Sequence, residues 1–242
     1  RDALDKLRTG ELAMVVGTHA LIEPDVEFAR LAVCIVDEQH RFGVRQRAAL
    51  DEKGPAATSS TEAAAPHVLH MTATPIPRTL SLTTYGDLDT TILRELPAGR
   101  QPVKTWLVGE DRRAGAYEFV RERLREGHQA YFVCPLVEGS EKLEAKAAAD
   151  EAERLASGEF ADFEVALLHG QMPAREKAAV MERFASGAAH VLVATTVIEV
   201  GIDVPNATVM VIEGAERYGI SQLHQLRGRV GRGANESYCI LL

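Results

Sequence analysis

Arg229 and Arg232 lie in the run Gln225-Leu226-Arg227-Gly228-Arg229-Val230-Gly231-Arg232-Gly233, where glycines space out guanidinium groups on a chain whose formal net charge is -8. A guanidinium is permanently charged and presents a rigid fork of donors. Arginines set this way suit a phosphate, or the charge that develops on a transferring phosphoryl group. A basic loop at a solvated helix end would use the same residue types. Far upstream, the apolar run Leu31-Ala32-Val33-Cys34-Ile35-Val36 stops abruptly at Asp37-Glu38-Gln39-His40. An unbroken apolar run reads as a strand buried on both faces of a parallel sheet, and such sheets place ligand chemistry at the carboxyl ends of their strands. In nucleotide hydrolysis the first carboxylate can hold Mg2+, usually through water, and the second can orient or deprotonate the attacking water. A helix N-cap with an acidic first turn would need Asp37 alone.

Two further strand-like runs end in polar loops. Val68-Leu69-His70-Met71 leads into Thr72-Ala73-Thr74-Pro75-Ile76-Pro77-Arg78, a hydroxyl-rich turn whose threonines either report on a nucleotide or simply bond to their own backbone. Val191-Leu192-Val193-Ala194 leads into Thr195-Thr196-Val197-Ile198-Glu199-Val200-Gly201-Ile202-Asp203-Val204-Pro205.

In that order, Asp-Glu-Gln-His, Thr-Ala-Thr, Ala-Thr-Thr-x-Ile-Glu-x-Gly-x-Asp and Gln-x-x-Gly-Arg-x-Gly-Arg resemble motifs II, III, V and VI of the superfamily 2 helicases. Within that superfamily the chain is most similar to the bacterial RecG family of branched-DNA helicases. The similarity runs through Val36 to Val44, Met71 to Arg78, Tyr85-Gly86-Asp87-Leu88-Asp89, Val133-Cys134-Pro135-Leu136-Val137-Glu138 and His224 to Gly233. The transcription-repair coupling translocase Mfd shares much of the pattern. Its motif II usually reads Asp-Glu-Glu-His, and it lacks the Tyr-Gly-Asp-Leu-Asp stretch. The resemblance covers nearly the whole chain and weakens only between Pro55 and Pro66.

The resemblance implies an α/β fold of two RecA-like lobes with parallel sheets flanked by helices, the P-loop NTPase fold with its first lobe incomplete. Residues 1–97 would be the later part of lobe one, with motifs Ib to III, and residues 98–242 would be lobe two, with motifs IV to VI. It further implies an ATP-driven double-stranded DNA translocase that remodels stalled forks and Holliday junctions in repair and recombination. On that reading ATP and Mg2+ are the cofactors. Asp37 holds Mg2+ and Glu38 activates water. Gln225, Arg229 and Arg232 face the phosphates, while Gly201 and Asp203 lie near the ribose. His40, Thr72 and Thr74 couple hydrolysis to movement. Gly17-Thr18-His19, His169-Gly170 and Thr195-Thr196 meet the DNA backbone, which positions a motor without reading sequence. The implied partners are branched DNA and single-stranded-DNA-binding protein, with the motor acting as a monomer.

No Gly-x-x-x-x-Gly-Lys-Ser/Thr occurs, so the loop that would cradle phosphates and supply a lysine is absent. The chain starts at Arg1 and stops inside a strand-like run, Ser237 to Leu242, and both ends read as cut. The expectation is a motor piece that is inactive alone and active within an intact helicase. An Mfd-like transcription-repair coupling translocase is one competing reading, and a catalytically silent helicase-fold binding module is the other. Against it, such a module has no chemical need for both the paired carboxylates and the paired arginines.

Composition sets wider bounds. At 242 residues and 46% apolar the chain can bury a core, in one or two domains. The acidic total argues against general polyanion binding while leaving room for a local basic groove. No apolar run approaches membrane-spanning length and no signal peptide precedes the chain, which makes cytoplasm the expected location. Cys34, Cys134 and Cys239 each fall in or beside an apolar run, without disulfide or zinc spacing, and read as buried free thiols. Strand-like and amphipathic runs alternate, as in a parallel sheet wrapped by helices.

Leu12 to Val16, Leu31 to Val36 and Val68 to Met71 read as strands of the first lobe, with a closing strand near Thr90 to Leu93. Pro97-Ala98-Gly99-Arg100-Gln101-Pro102 reads as a linker and Pro55 to Pro66 as a surface loop. Three helices are expected in the second lobe. One is capped by Asp111, buries Ala116, Val120 and Leu124, and ends at Gly127. A charged helix from Glu141 to Ser157 turns Leu143, Ala147 and Leu155 to one side. The third starts at Pro173, buries Val180, Met181 and Phe184, and stops at Gly187.

Overall fold

The computed structural model describes residues 2–38, 66–73, 89–93, 95, 100–134, 141–195 and 203–242. The chain divides into two compact units, Arg1–Ile76 and Pro77–Leu242.

In the first unit, helix α1 (Asp2–Thr9) carries aspartates in its first turn and basic residues in its last, matching the helix dipole, and buries Leu7. Strands β1 (Val33–Val36) and β2 (His67–His70) pair in parallel, with Val36 opposite His70. The expectation that β1 is buried on both faces does not hold, because Val33 and Ile35 are exposed and Val36 alone is buried. Among the described residues β2 is its one partner strand, and no described helix covers the face carrying Val33 and Ile35. Leu12 to Val16 and Thr90 to Leu93 form no strand either. A strand needs a neighbouring ladder for its backbone groups, and neither segment is paired in a sheet.

The second unit is built on a six-stranded sheet in the order β3-β8-β7-β4-β6-β5. Its strands are β3 (Lys104–Leu107), β4 (Gln129–Val133), β5 (Val165–Leu168), β6 (Val191–Ala194), β7 (Ala207–Ile212) and β8 (Tyr238–Leu241), and every pairing is parallel. Strands β4, β6 and β7 are buried along their whole length, as expected of continuous apolar runs with helices on both faces. Helices α2 (Arg113–Arg125), α3 (Glu141–Ser157), α4 (Ala174–Ala185) and α5 (Ile220–Arg227) supply the crossovers.

Two apolar clusters separate on the sheet's faces. One joins Tyr131, Phe184, Met210, Leu226 and Val230; the other joins Tyr117, Val120, Phe132, Leu155, Phe160 and Ile240. Phe184 and Phe160 are fully buried, so truncating either to alanine should cost about 3–5 kcal/mol.

Helix boundaries follow local signals, while the buried sides are set by the sheet. A short 3-10 turn at Glu110–Arg112 precedes α2, whose N-cap is Arg112 without a side-chain cap, so Asp111 does not cap it. Tyr117, Val120 and Leu124 are buried there, with Ala116 only half-buried. Helix α3 spans the expected residues, but Ala148, Ala152 and Leu155 are buried and Leu143 is exposed. Helix α4 is capped by Pro173 and buries Met181 and Phe184, with Val180 half-buried. All three cysteines are free thiols; Cys134 and Cys239 are buried, whereas Cys34, on the open two-stranded sheet, is half-buried.

A buried ionic cluster fastens α2 to the end of β7. The Glu213 carboxylate accepts from Arg113 Nη1 at 2.6 Å and Tyr117 Oη at 2.7 Å. Burial, followed by the hydrogen bond to Glu213, pushes the Tyr117 hydroxyl up to about 12. Gln129, buried at the start of β4, donates to the carbonyls of Phe184 and Ala189 at 2.5 and 2.8 Å and so ties the strand to the end of α4. Among the described residues no helix is long and apolar enough to cross a membrane.

Candidate functional site

The paired carboxylates emerge where the apolar ladder of β1 ends. Met71 N donates to Val36 O at 2.8 Å, so β1 and β2 stop side by side and deliver Asp37 and Thr72 to the same sheet edge. The Asp37 carboxylate accepts from the Glu38 amide at 2.9 Å, and Glu38 sits at φ +51. It is the one non-glycine residue with positive φ among those described. Such a backbone costs of order 1–3 kcal/mol, and such outliers cluster at functional sites. Here the turn sets two carboxylates at successive positions, Asp37 exposed and Glu38 half-buried. Asp37 is exposed and oxygen-bearing, as a Mg2+ ligand must be. Mg2+ keeps several waters and takes one or two carboxylates together with substrate phosphates, so a dedicated protein cage is not required. Among the described residues no cluster of three or more His, Cys, Asp or Glu forms such a cage.

In the same unit Thr18 accepts from Ala20 N at 3.5 Å and caps a 3-10 turn, His19–Ile22. A side chain at Gly17 would strike Leu21 Cδ1 at 2.9 Å, so this glycine has a packing reason of its own. Gly17, Thr18 and His19 are all exposed.

The arginine loop of the second unit is organised by α5 and by the segment before β7. Leu226 and Val230 are fully buried and anchor the two ends of the turn. Gly228 caps α5, and the Arg229 amide donates to Leu226 O at 2.9 Å. Arg232 Nε donates to Gly228 O at 3.2 Å and lies 3.7 Å from Asp203 Oδ1. A Cβ at Gly233 would meet Pro205 O at 3.0 Å, so the loop lies directly on the Asp203–Pro205 segment. Asp203, expected near the ribose, and Arg232, expected at the phosphates, are thereby neighbours. Tyr131 beneath them is pushed up to about 12 by burial, with Arg229 and Arg232 pulling its hydroxyl down and Asp203 pushing it up. These charges therefore share one local field. Gln225 is half-buried on α5, one helical turn before Arg229.

His169 and Thr195 follow β5 and β6, which pair with Leu168 opposite Ala194, and the Thr195 amide donates to Leu168 O at 3.3 Å. His169, Gly170 and Thr195 thus share one carboxyl edge. Thr195 is buried, at 6% exposure, while Gly170 is exposed and its carbonyl accepts from Lys177 Nζ at 2.5 Å. His40, Thr74, Thr196 and Gly201 lie outside the described residues.

Sequence reasoning passed over Arg100. Its Nε donates to Gly231 O at 3.0 Å and its Nη2 to Gly228 O at 3.4 Å, which clamps the arginine loop from the chain's far side. It sits in a proline-bounded segment that reads as a linker, and no pattern marks an arginine that bonds to backbone. The Glu213, Arg113 and Tyr117 cluster was missed because its side chains meet across about 100 positions of sequence.

An all-parallel sheet wrapped by helices, with its motif-bearing loops at the carboxyl ends of the strands, is the architecture of a RecA-like helicase lobe. The model of the helicase conserved C-terminal domain matches residues 115–234. A solved structure of Mss116p bound to single-stranded RNA and AMP-PNP shares the fold, with a TM-score of 0.63 at 17% identity over 100% of this chain and 50% of that one.

The chain is similar over its whole length to the RecG helicases. It is 52% identical to ATP-dependent DNA helicase RecG of Synechocystis, over 100% of this chain and 28% of that protein. It is 53% identical to the Escherichia coli RecG, over 98% of this chain and 34% of that one. A solved RecG bound to a three-way DNA junction superposes with a TM-score of 0.69 at 46% identity, over 99% of this chain and 30% of that one. The chain therefore spans about a third of the length of the curated relatives it matches.

Proposed function

We propose that this chain is the motor segment of an ATP-dependent helicase that translocates on double-stranded DNA and remodels branched substrates, namely stalled forks and Holliday junctions, in repair and recombination. The observation that carries the reading is the arginine loop. Arg229 follows a capped helix end with its amide bonded to Leu226 O, Arg232 follows a left-handed glycine and lies against Asp203, and the likeness to RecG extends over the whole chain. Guanidinium groups fixed before the reaction stabilise charge on a transferring phosphoryl group without reorganising during it.

In this reading Arg229, Arg232 and Gln225 meet the phosphates, and Asp203 with Gly201 binds near the ribose. Asp37 holds Mg2+ through its carboxylate, and the metal, when bound, neutralises phosphate charge. Glu38 accepts the proton of the attacking water or orients it. Thr72, Thr74 and His40 relay nucleotide state, while Gly17, Thr18, His19, His169, Gly170, Thr195 and Thr196 line the DNA backbone. The protein works as a cytoplasmic monomer, with single-stranded-DNA-binding protein as its partner at forks.

The test uses the intact protein. Arg229→Ala and Arg232→Ala should each lower fork-stimulated ATP turnover by about a thousandfold or more, the range of an arginine finger, while binding to a three-way junction is retained. Near-normal turnover in both variants would remove the finger assignment. Loss of junction binding together with turnover would point to a structural role instead.

A further inference from the structure

The loop from Gly228 to Gly231 carries Arg229 in its middle and Arg232 just beyond it, and both of its ends point a carbonyl at the same side chain. Arg100 reaches Gly231 O through Nε at 3.0 Å and Gly228 O through Nη2 at 3.4 Å. The Gly228 carbonyl also accepts from Arg232 Nε at 3.2 Å, so Arg100 and Arg232 converge on one acceptor. The segment that follows Arg100 closes on the same turn. A Cβ at Gly231 would lie 2.7 Å from Val103 Cγ2 and 3.5 Å from Gln101 O. One residue further, the Lys104 amide donates to Ser237 O at 2.9 Å and begins the pairing of β3 with β8. Arg100 is therefore not a loose linker residue, because the chain after it enters the β3–β8 ladder at Lys104 and Arg100 itself is half-buried on the arginine loop.

We infer that Arg100 is a positioning residue for the arginine loop: its guanidinium spans the carbonyls of Gly228 and Gly231 and so sets the spacing from which Arg229 and Arg232 are presented to phosphate. A planar guanidinium holds its donors at a fixed separation, which a single ammonium cannot reproduce. Both donors are committed to backbone carbonyls, so Arg100 acts through the loop. Its cationic head beside Arg232 also favours keeping Arg232 turned toward Asp203 or an anion.

The effect on turnover rests on the phosphate-facing role proposed above for Arg229 and Arg232, whereas the effect on loop order does not. In the intact protein, Arg100→Ala should lower the kcat of fork-stimulated ATP hydrolysis by about tenfold to a hundredfold, the cost of a displacement near 1 Å at a reacting centre. KM for ATP and junction affinity should stay near wild type. Guanidinium ion at millimolar, non-denaturing concentration should restore part of the kcat of Arg100→Ala and none of that of Arg229→Ala. Amide exchange should quicken across residues 228–233 and not across the central strands. Arg100→Lys, the milder variant should Arg100→Ala be unstable, also loses kcat for want of the fork.

Wild-type kcat in either Arg100 variant would overturn the inference. So would a loss that guanidinium does not reverse and that comes with faster exchange throughout the unit. If Arg229→Ala and Arg232→Ala keep full turnover, the phosphate reading fails, and residues 228–233 should still loosen in Arg100→Ala. If those two variants are inactive and Arg100→Ala is normal, only the positioning role fails.

Discussion

Replacing Gly231 with alanine places a methyl group in a turn that excludes it twice over. The residue sits at φ +74, a left-handed conformation that costs an L-residue about 1–2 kcal/mol. The new Cβ would also stand 2.7 Å from Val103 Cγ2, well inside the optimal carbon separation of about 3.5–4.0 Å. Either Val103 leaves its rotamer or the turn shifts, and overpacking of this kind costs about 1–3 kcal/mol. The combined loss expected for Gly231→Ala is therefore about 2–5 kcal/mol.

A Val103→Ala background separates the two parts. It removes the clash and leaves the backbone, so the same substitution there should cost only about 1–2 kcal/mol. Urea unfolding followed by tryptophan fluorescence reads this directly, since Trp106 is the chain's one tryptophan and packs at 5.0 and 5.1 Å between the rings of Phe119 and Tyr238 in the same unit. A cost below about 0.5 kcal/mol, the range of neutral surface changes, would show that the turn is not held left-handed against Val103. An equal cost in both backgrounds would show that the clash is absent.

Two further outcomes follow from the ionic cluster and the buried rings. Glu213→Leu leaves the Tyr117 hydroxyl and the Arg113 guanidinium without their buried acceptor and should cost about 2–3 kcal/mol in thermal unfolding, toward the low end for a broken buried pair because Arg113 keeps Glu110 and some water. Glu213→Gln keeps an acceptor and should cost less, so equal losses would refute the hydrogen-bonding account. The hydroxyls of Tyr117 and Tyr131 are both pushed up to about 12, above the usual value near 10. Their contribution to stability is fully present below the unfolded value and is lost as pH rises through the folded one, so stability should fall between about pH 10 and 12. Absorbance titration should show these rings ionising only as the unit unfolds, and Tyr117→Phe should flatten the loss; free ionisation of every tyrosine in the folded protein would refute it.

The sequence by itself determined whatever depends on neighbours along the chain. Proline and glycine bounded α4 to within a residue or so, an alanine-rich charged run marked α3, and the apolar run Val191 to Ala194 marked β6. Residue types in fixed order at strand ends picked out the carboxylates and the arginine loop. Periodicity could not say which side of α3 meets the sheet. Leu143 and Ala147 satisfy a helical stripe as well as Ala148 and Ala152 do, and only the sheet beneath decides between them. Nor could it tell that Leu12 to Val16 forms no strand, since an apolar run becomes a strand only when another backbone completes its hydrogen bonds.

Tertiary structure alone decided the strand order β3-β8-β7-β4-β6-β5, which sets β3 beside the last strand. It decided that Arg113 meets Glu213 across 100 positions and that Arg100 meets Gly231 across 131. Those pairings arise because burial forces polar groups on distant segments to satisfy one another, and no local pattern encodes which carbonyl a given guanidinium will find.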